Sequence, residues 1–469
     1  MSHLLTEPAR KSSRKDARSQ AIRERARRIR AARGIIPGGF YVVMAAQFFS
    51  SLADNALLIA AIALLQQLDG PAWMAPMAKW SFALSYVVMA AFVGAFADCM
   101  PKGRVMFCTN ALKVAGCLIM LFYNCMGLSP VQQQYLVLAA YALVGVGAAA
   151  YSPAKYGIVT EMLKPSLLVK GNSWIEGLTV VSILLGVMLG GALITPAVAD
   201  HLLALRLFPS VDTPAEAAIV VIALVYGIAA FFNLLIPRTG VVYPPQHANP
   251  VKLIREFAYY VSILWRDKLG QISLAVTTLF WGAGATLQMV VIEWGSQQLG
   301  LSLDQSSILM GIAAIGTILG AMLAGRIPLK RALNTLPMGV IMGLVVLLMP
   351  FVHNMIAVYL LLILIGGLGG YFVVPMNALL QHRGHVLLSA GHSIAVQNIN
   401  EQTNILLMVA VYSLLLWLKV PIGIIIVMFG LLVAALMVAI IIWNRINHIR
   451  NPGLDDEIGN HNYGTALRR

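Results

Sequence analysis

Gly145-Val-Gly-Ala-Ala-Ala-Tyr-Ser-Pro-Ala-Lys-Tyr156 runs out of a long apolar segment, weakens it with glycine and proline, and then places a lysine. A diverged copy, Gly367-Leu-Gly-Gly-Tyr-Phe-Val-Val-Pro-Met-Asn-Ala378, stands 222 residues later (367 − 145). Gly145, Gly147 and Pro153 match Gly367, Gly369 and Pro375, and Lys155 falls opposite Asn377. A duplicated chain, charged in one half where the other is neutral, reads as a two-lobed membrane transporter. Its substrate chemistry is then expected mainly in the first lobe.

Working outward, the composition fits that class. Hydrophobic residues make up 59% of the 469 and charged residues 11%, against roughly 25% charged in soluble chains; mean hydropathy is +0.80. Twelve apolar runs are long enough to cross hydrocarbon, about 20 residues each: 40–66, 76–97, 105–127, 133–151, 168–194, 215–236, 271–294, 306–325, 333–351, 356–374, 389–418 and 421–443. The expected fold is an all-α membrane protein with twelve transmembrane helices in two six-helix bundles. The expected division is a basic tail 1–39, a first bundle 40–236, a linker 237–270, a second bundle 271–443 and a C-terminal tail 444–469.

The net charge of +14 gives orientation, not a nucleic-acid partner. Residues 1–33 supply +8, from eleven Lys/Arg and three Asp/Glu. Further Lys and Arg fall in alternate loops; the opposite loops hold only Lys79, Arg206 and Lys419 near them. By the positive-inside rule both termini are expected in the cytoplasm. The tail is too charged for a signal peptide. Residues 14–33 read either as a basic helix on anionic headgroups, with Ile22, Ala26 and Ile29 on one side, or as a disordered topology-setting tail. From Asn451 on, no apolar period is evident and the chain reads as unstructured. The linker opens with Pro237, Pro244-Pro245 and Pro250. An amphipathic stretch follows, with Leu253, Phe257, Tyr260, Val261 and Leu264 at helical spacing.

Gly94-Ala-Phe-Ala-Asp-Cys-Met-Pro-Lys-Gly-Arg104 lines up with Gly320-Ala-Met-Leu-Ala-Gly-Arg-Ile-Pro-Leu-Lys-Arg331. An acid at a helix end can accept backbone N–H groups or pair with a base, locking two lobes together. The gating candidates are therefore Asp98, Lys102, Arg104, Arg326 and Arg331. This duplicated loop, glycine, three residues, aspartate and a short basic turn, resembles the loop of the major facilitator superfamily.

Charges within spans face protein or a water-filled cavity, because lipid exposure at mid-bilayer costs at least roughly 2.5 kcal/mol. Asp54 and Asn55 lie mid-span 1, Lys155 at the cytoplasmic end of span 4, and Glu176 in span 5. Thr286 and Gln288 lie in span 7, Asn377 after span 10, and Gln397, Asn400, Glu401 and Asn404 along one face of span 11. Spans 3, 6, 9 and 12 read as nearly free of central charge, with Lys113 near the cytoplasmic end of span 3. A purely structural alternative pairs Lys155 with Glu176 or Asp54 and lets the span-11 amides bond neighbouring helices. The glycine pairs 186/190, 316/320 and 366/370 read as close helix packing. Cys99, Cys108, Cys117 and Cys125 are strung along one helix and its lead-in and do not make a metal site. No P-loop or acyltransferase signature is present, so the chain reads as no enzyme and needs no cofactor.

Residues 45–58, 144–158, 279–287, 373–381 and 395–398 resemble the bacterial lysophospholipid transporter family of the inner membrane, with Tyr151-Ser-Pro-Ala-Lys-Tyr-Gly157 the most specific string. The resemblance implies facilitated inward movement of lyso-phosphatidylethanolamine and related lysolipids by alternating access. A cytoplasmic acyltransferase–acyl-carrier-protein synthetase is implied as the partner that reacylates them. The chain departs from the family in its longer basic tail and at Gln288, where close relatives are expected to hold arginine. Independently, a lysolipid site needs an acid (Asp54, Glu176), a base (Lys155) and amides for glycerol (Asn55, Asn377, Gln397), and Thr286, Gln288 and Glu401 complete the candidate substrate-contact set. The competing reading is a proton-coupled exporter of drugs or other small amphiphiles. Span 5 weakens it, because Gly190-Gly-Ala-Leu-Ile-Thr-Pro196 matches the antiporter element poorly.

Overall fold

The computed structural model describes residues 36–70, 74–204, 211–241, 243, 249–301 and 303–458. The expectations for the basic tail, for Arg206 and for residues beyond 458 lie outside the described residues. Among those described, eleven helices are long and apolar enough to cross a membrane, and the shorter Ile308–Ala324 stands where the remaining span is expected. The spans are α1 (Gly38–Gln67), α2 (Met74–Asp98), α3 (Lys102–Leu121), α4 (Pro130–Met162), α5 (Pro165–Leu193), α6 (Pro214–Leu234), α7 (Gly270–Gln297), α8 (Leu303–Ala324), α9 (Leu336–Val346), α10 (Met355–Leu387), α11 (Ala390–Trp417) and α12 (Ile422–Arg450). No strand occurs among the described residues.

Local chemistry sets the helix ends. Ser129 with Gln132, and Thr213 with Glu216, form capping boxes, each followed by proline at the first helical turn. Asn249, Asn354 and Ser389 cap through their side chains. The α9 span is the irregular one. Its α-helical centre is flanked by 3₁₀ turns at Leu329–Thr335 and Met349–Phe351, with prolines at the turn starts.

Two groups of six helices result. In the first, α1 packs on α5 and α6, and α4 packs on α2 and α3. In the second, α8 packs on α10, α7 on α11, and α9 on α12. The groups meet through α2 against α11, α5 against α8, and α4 and α10 against the facing lobe. The linker helix Pro250–Arg266 forms as its pattern predicts, with Phe257 and Leu264 buried. The C-terminal expectation is corrected. Leu454–Glu457 forms a 3₁₀ turn, Leu454 and Ile458 are buried, and Glu457 meets Arg383 at 2.9 Å. Two apolar residues and one ion pair anchor a segment too short to show a period.

A second correction concerns α4. The helix does not run out at Pro153 but continues to Met162. Pro375 is likewise carried inside α10. Membrane helices tolerate such prolines where neighbours re-satisfy the backbone. The paired glycines of the opening motif serve packing on two sides. A Cβ at Gly145 would meet Phe82 Cα of α2 at 3.0 Å, and one at Gly147 would meet Lys113 Cγ at 2.8 Å and Thr109 O at 3.0 Å, both of α3. Glycines 316 and 320 of α8 meet the backbone of α10, and 366 and 370 of α10 meet that of α8, as their spacing predicts.

Gly147→Val should therefore push α3 off α4. We expect about 1–3 kcal/mol of destabilisation, read as a lower melting temperature of the detergent-solubilised protein. Gly191→Ala, where a Cβ has open space within 4 Å, should leave it unchanged.

Candidate functional site

A cavity of about 330 Å³ lies between the lobes, at the small end of the range for ligand pockets. It is built from helix faces at 3–4 residue spacing. From α1 come Gln47, Ser50, Ser51, Asp54, Asn55 and Leu58; from α2, Lys79, Phe82 and Tyr86; from α4, Tyr141, Tyr151, Ser152, Lys155 and Tyr156. Gln397, Asn398, Glu401, Gln402 and Ile405 of α11 and Trp281 of α7 face them across the lobe boundary. Four tyrosines, a phenylalanine and a tryptophan make the walls aromatic, with the charges set between them.

Asp54 is held by its own lobe. Lys113 Nζ contacts its two carboxylate oxygens at 2.8 and 2.9 Å, and the Tyr226 hydroxyl donates to it at 2.6 Å. Lys113 also donates to Ser50 at 3.1 Å, and Ser50 donates to Asn110 at 2.8 Å. The Lys113 side chain is fully buried, and Asp54 keeps 20% exposure. This corrects the placement of Lys113 near the membrane edge. It is the twelfth of the 20 residues of α3, which at a rise of about 1.5 Å per residue is mid-membrane. Its distance from the helix start was the signal available in the sequence.

Lys155 is different. No carboxylate lies within 4.0 Å of it among the described residues, so neither expected pairing, with Asp54 or with Glu176, forms as a salt bridge. Its ammonium lies 4.1 Å from the centroid of the Tyr156 ring, a cation–π geometry. Its side chain lines the cavity.

At the cavity floor and below it the lobes are stitched. Asn377 Nδ2 donates to Glu176 Oε1 at 3.1 Å and its Oδ1 accepts from Gln397 at 2.8 Å; Gln397 in turn donates to Glu401 at 2.7 Å. Tyr156 reaches Glu176 at 3.4 Å. Asn172 and Gln381 exchange two bonds of 2.9 Å, and Asn398 donates to Ser152 at 3.0 Å. Glu176 and Asn377 are thus in the seam beneath the cavity rather than on its wall. Asn55 lines the wall and donates to Ser51 O at 2.8 Å. Thr286 is buried and bonds Gly282 O of its own helix at 2.9 Å. Gln288 is exposed and does not line the cavity; it stands seven residues from Trp281, on the same helix face about two turns away. The side-chain oxygens of Gln47 and Gln397 are buried acceptors without a partner among the described residues. A ligand's N–H or O–H could satisfy both.

The gating candidates divide. Asp98 accepts from Lys102 of its own lobe and from Ser389 across the boundary, and its Oδ2 lies 3.1 Å from His392 Nδ1. Lys102 also bonds Ala97 O at 2.9 Å and stands 3.9 Å from Glu161. Glu161 accepts from Thr239 at 2.5 Å and from Tyr243 at 2.9 Å. Burial, then Glu161, holds the Tyr243 phenol far above its ordinary range, so it remains a donor. The glycine of the motif now has a reason. A Cβ at Gly94 would lie 2.9 Å from His392 Cα, and one at Gly391 would lie 2.7 Å from Asp98 Oδ1. Arg104, Arg326 and Arg331 are exposed, with no ion pair among the described residues. In the second lobe Ala324 stands where Asp98 would, and Arg383 instead bonds Asp267 at 2.5 and 3.0 Å.

Two six-helix lobes, an aromatic and charged cavity at their boundary, and a duplicated basic turn closing one end are the construction of a major facilitator transporter. The Major Facilitator Superfamily profile matches residues 43–399. The solved bacterial homologue of the iron transporter ferroportin, outward-facing, superposes with a TM-score of 0.67 at 13% identity, covering 88% of this chain and all of that one. The Escherichia coli fucose:proton symporter gives 0.64 at 14% identity, covering 87% and 98%. These two share the fold. At the level of sequence, the lysophospholipid transporter LplT of Yersinia enterocolitica is 42% identical over 390 residues, 83% of this chain and 90% of that protein. That of Photorhabdus laumondii is 40% identical over 413 residues, 88% and 97%. The chain belongs to the lysophospholipid transporter family of the major facilitator superfamily.

Two outcomes follow from the geometry. Lys113→Met leaves the half-buried Asp54 carboxylate without its cation and should destabilise the protein by about 3 kcal/mol, while the double variant Asp54→Asn, Lys113→Met should recover most of that in a detergent melt. Asp98→Ala should loosen the lock. With the four native cysteines replaced, a cysteine at Ala395, fully buried against α2, should be alkylated on the order of tenfold faster in that variant, since one charged hydrogen bond is worth about 1.5 kcal/mol.

Proposed function

We propose that this chain is a lysophospholipid transporter of the bacterial inner membrane. It moves lyso-phosphatidylethanolamine and related lysolipids from the outer to the inner leaflet, by facilitated diffusion with alternating access, and transforms no substrate. The observation that carries the reading is Lys155, a half-buried cation on an aromatic cavity wall with no carboxylate within 4.0 Å among the described residues. A phosphodiester supplies the missing anion. Asp54, one-fifth exposed on the same wall, and the unpartnered oxygens of Gln47 and Gln397 suit an ammonium or glycerol headgroup. The name carried by the relatives supports the same substrate class.

Both termini are proposed to be cytoplasmic, which places the Asp98 lock on the cytoplasmic side and the cavity toward the outer one. A cytoplasmic acyltransferase–acyl-carrier-protein synthetase is the proposed consumer of the lipid delivered, tying the chain to phospholipid remodelling. Its reaction removes substrate on the inside and so draws flux inward. No coupling ion is invoked, because Asp54 already holds the ammonium of Lys113.

Spheroplasts expressing the chain should take up labelled lyso-phosphatidylethanolamine faster than cells lacking it. Lys155→Ala and Asp54→Asn should each abolish that uptake while the protein still reaches the membrane. The initial rate should persist with a protonophore in sodium-free buffer, provided ATP sustains reacylation. Loss of most of that rate would replace the uncoupled reading with the proton-coupled exporter.

A further inference from the structure

Lys79 breaks the charge pattern. Lysines gather at the Asp98 end of the bundle, yet Lys79 stands near the other end of α2, within the span that starts at Met77. It is exposed, lines the cavity, and has no ion pair among the described residues. Lys79, Phe82 and Tyr86 lie at i, i+3 and i+7, so one face of α2 carries a cation at the mouth and aromatic rings inward from it.

Depth follows from counting along the helices. Lys79 is 19 residues from Asp98 (98 − 79), about 28 Å along α2, and Lys155 is seven from Met162 (162 − 155), about 10 Å along α4. Those two helix ends are level, because Lys102, four residues beyond Asp98, and Glu161, one before Met162, stand 3.9 Å apart. The two unpaired cations are therefore separated by about 18 Å in depth. Between them the only lining carboxylates among the described residues are Asp54, paired with Lys113, and Glu401, bonded to Gln397. The cavity is positive at both ends.

We propose that Lys79 forms an outer phosphate subsite, which captures the phosphodiester of the incoming lipid before it passes inward to Lys155. This rests on the lysolipid reading above. The contact is to the phosphate, so it serves lysolipids of either headgroup charge. It acts on capture and leaves the later conformational step untouched.

The test is concentration-dependent uptake by spheroplasts expressing the full chain, with labelled lyso-phosphatidylethanolamine and, separately, lyso-phosphatidylglycerol. Lys79→Gln should raise KM for both on the order of tenfold, the worth of one hydrogen bond to a charged group, with the maximal rate unchanged. Lys79→Arg, which keeps the cation, should restore KM. An unchanged KM in Lys79→Gln overturns the assignment. So does a rise confined to lyso-phosphatidylglycerol, which would mean attraction to net charge, and so does a loss that arginine fails to restore. If the unmodified chain takes up neither lipid, the lysolipid reading falls as well; if it takes up both and the Lys79 variants match it, the subsite alone falls.

Discussion

The ion pair between Lys113 and Asp54 is the interaction on which the rest of the first lobe depends. Two opposite charges in the middle of a membrane are tolerable only when each answers the other and the remaining bonds are made. Here Ser50, Tyr226 and the pair itself complete the set, with Asn110 behind. Three helices, α1, α3 and α6, are joined at that point. The approach of α3 needs a glycine at 147 on α4. The pair also fixes the electrostatics of the cavity, since it cancels the acid on one wall and leaves Lys155 without an equal opponent.

The second constraint is the polar seam at the cavity floor and below it. Ser152–Asn398, Glu176–Asn377 and Asn172–Gln381 each join one lobe to the other, and Asp98 repeats the pattern at the end. Every one of these bonds must break for the lobes to part on that side, and a buried polar group left alone costs about 1–3 kcal/mol. A substrate or water that replaces the lost partners lowers that cost. The closed arrangement is thus held by many replaceable contacts rather than one strong one, as suits an element with two states.

Much of this was legible in the chain. The apolar runs gave the spans, 3.6-residue spacing gave the linker helix, and the duplicated loop pointed to Asp98, because composition and period report burial directly. The pairings were less legible. Lys113 was passed over because its depth depends on where α3 begins, and a span's edge is uncertain by a few residues. Glu176 and Asn377 read as cavity residues because a sequence shows which residues are polar, not whether a partner from the other lobe meets them; their separation of 201 positions has no local trace. The docked segment around Leu454 escaped notice because two anchoring residues make no period.

The linker has a consequence for how far the lobes can part. Trp265 stacks on Trp443 and bonds Asn400, and Asp267 grips Arg383, so the end of the helix is tied to the second lobe. Thr239 and Tyr243 are tied to Glu161 of the first. Tyr243 and Asn249 stand six peptide steps apart in the chain (249 − 243). At about 3.3–3.6 Å per residue that leash cannot exceed roughly 20 Å. While both anchors hold, it sets an upper bound on the travel of one half against the other, whatever drives the motion.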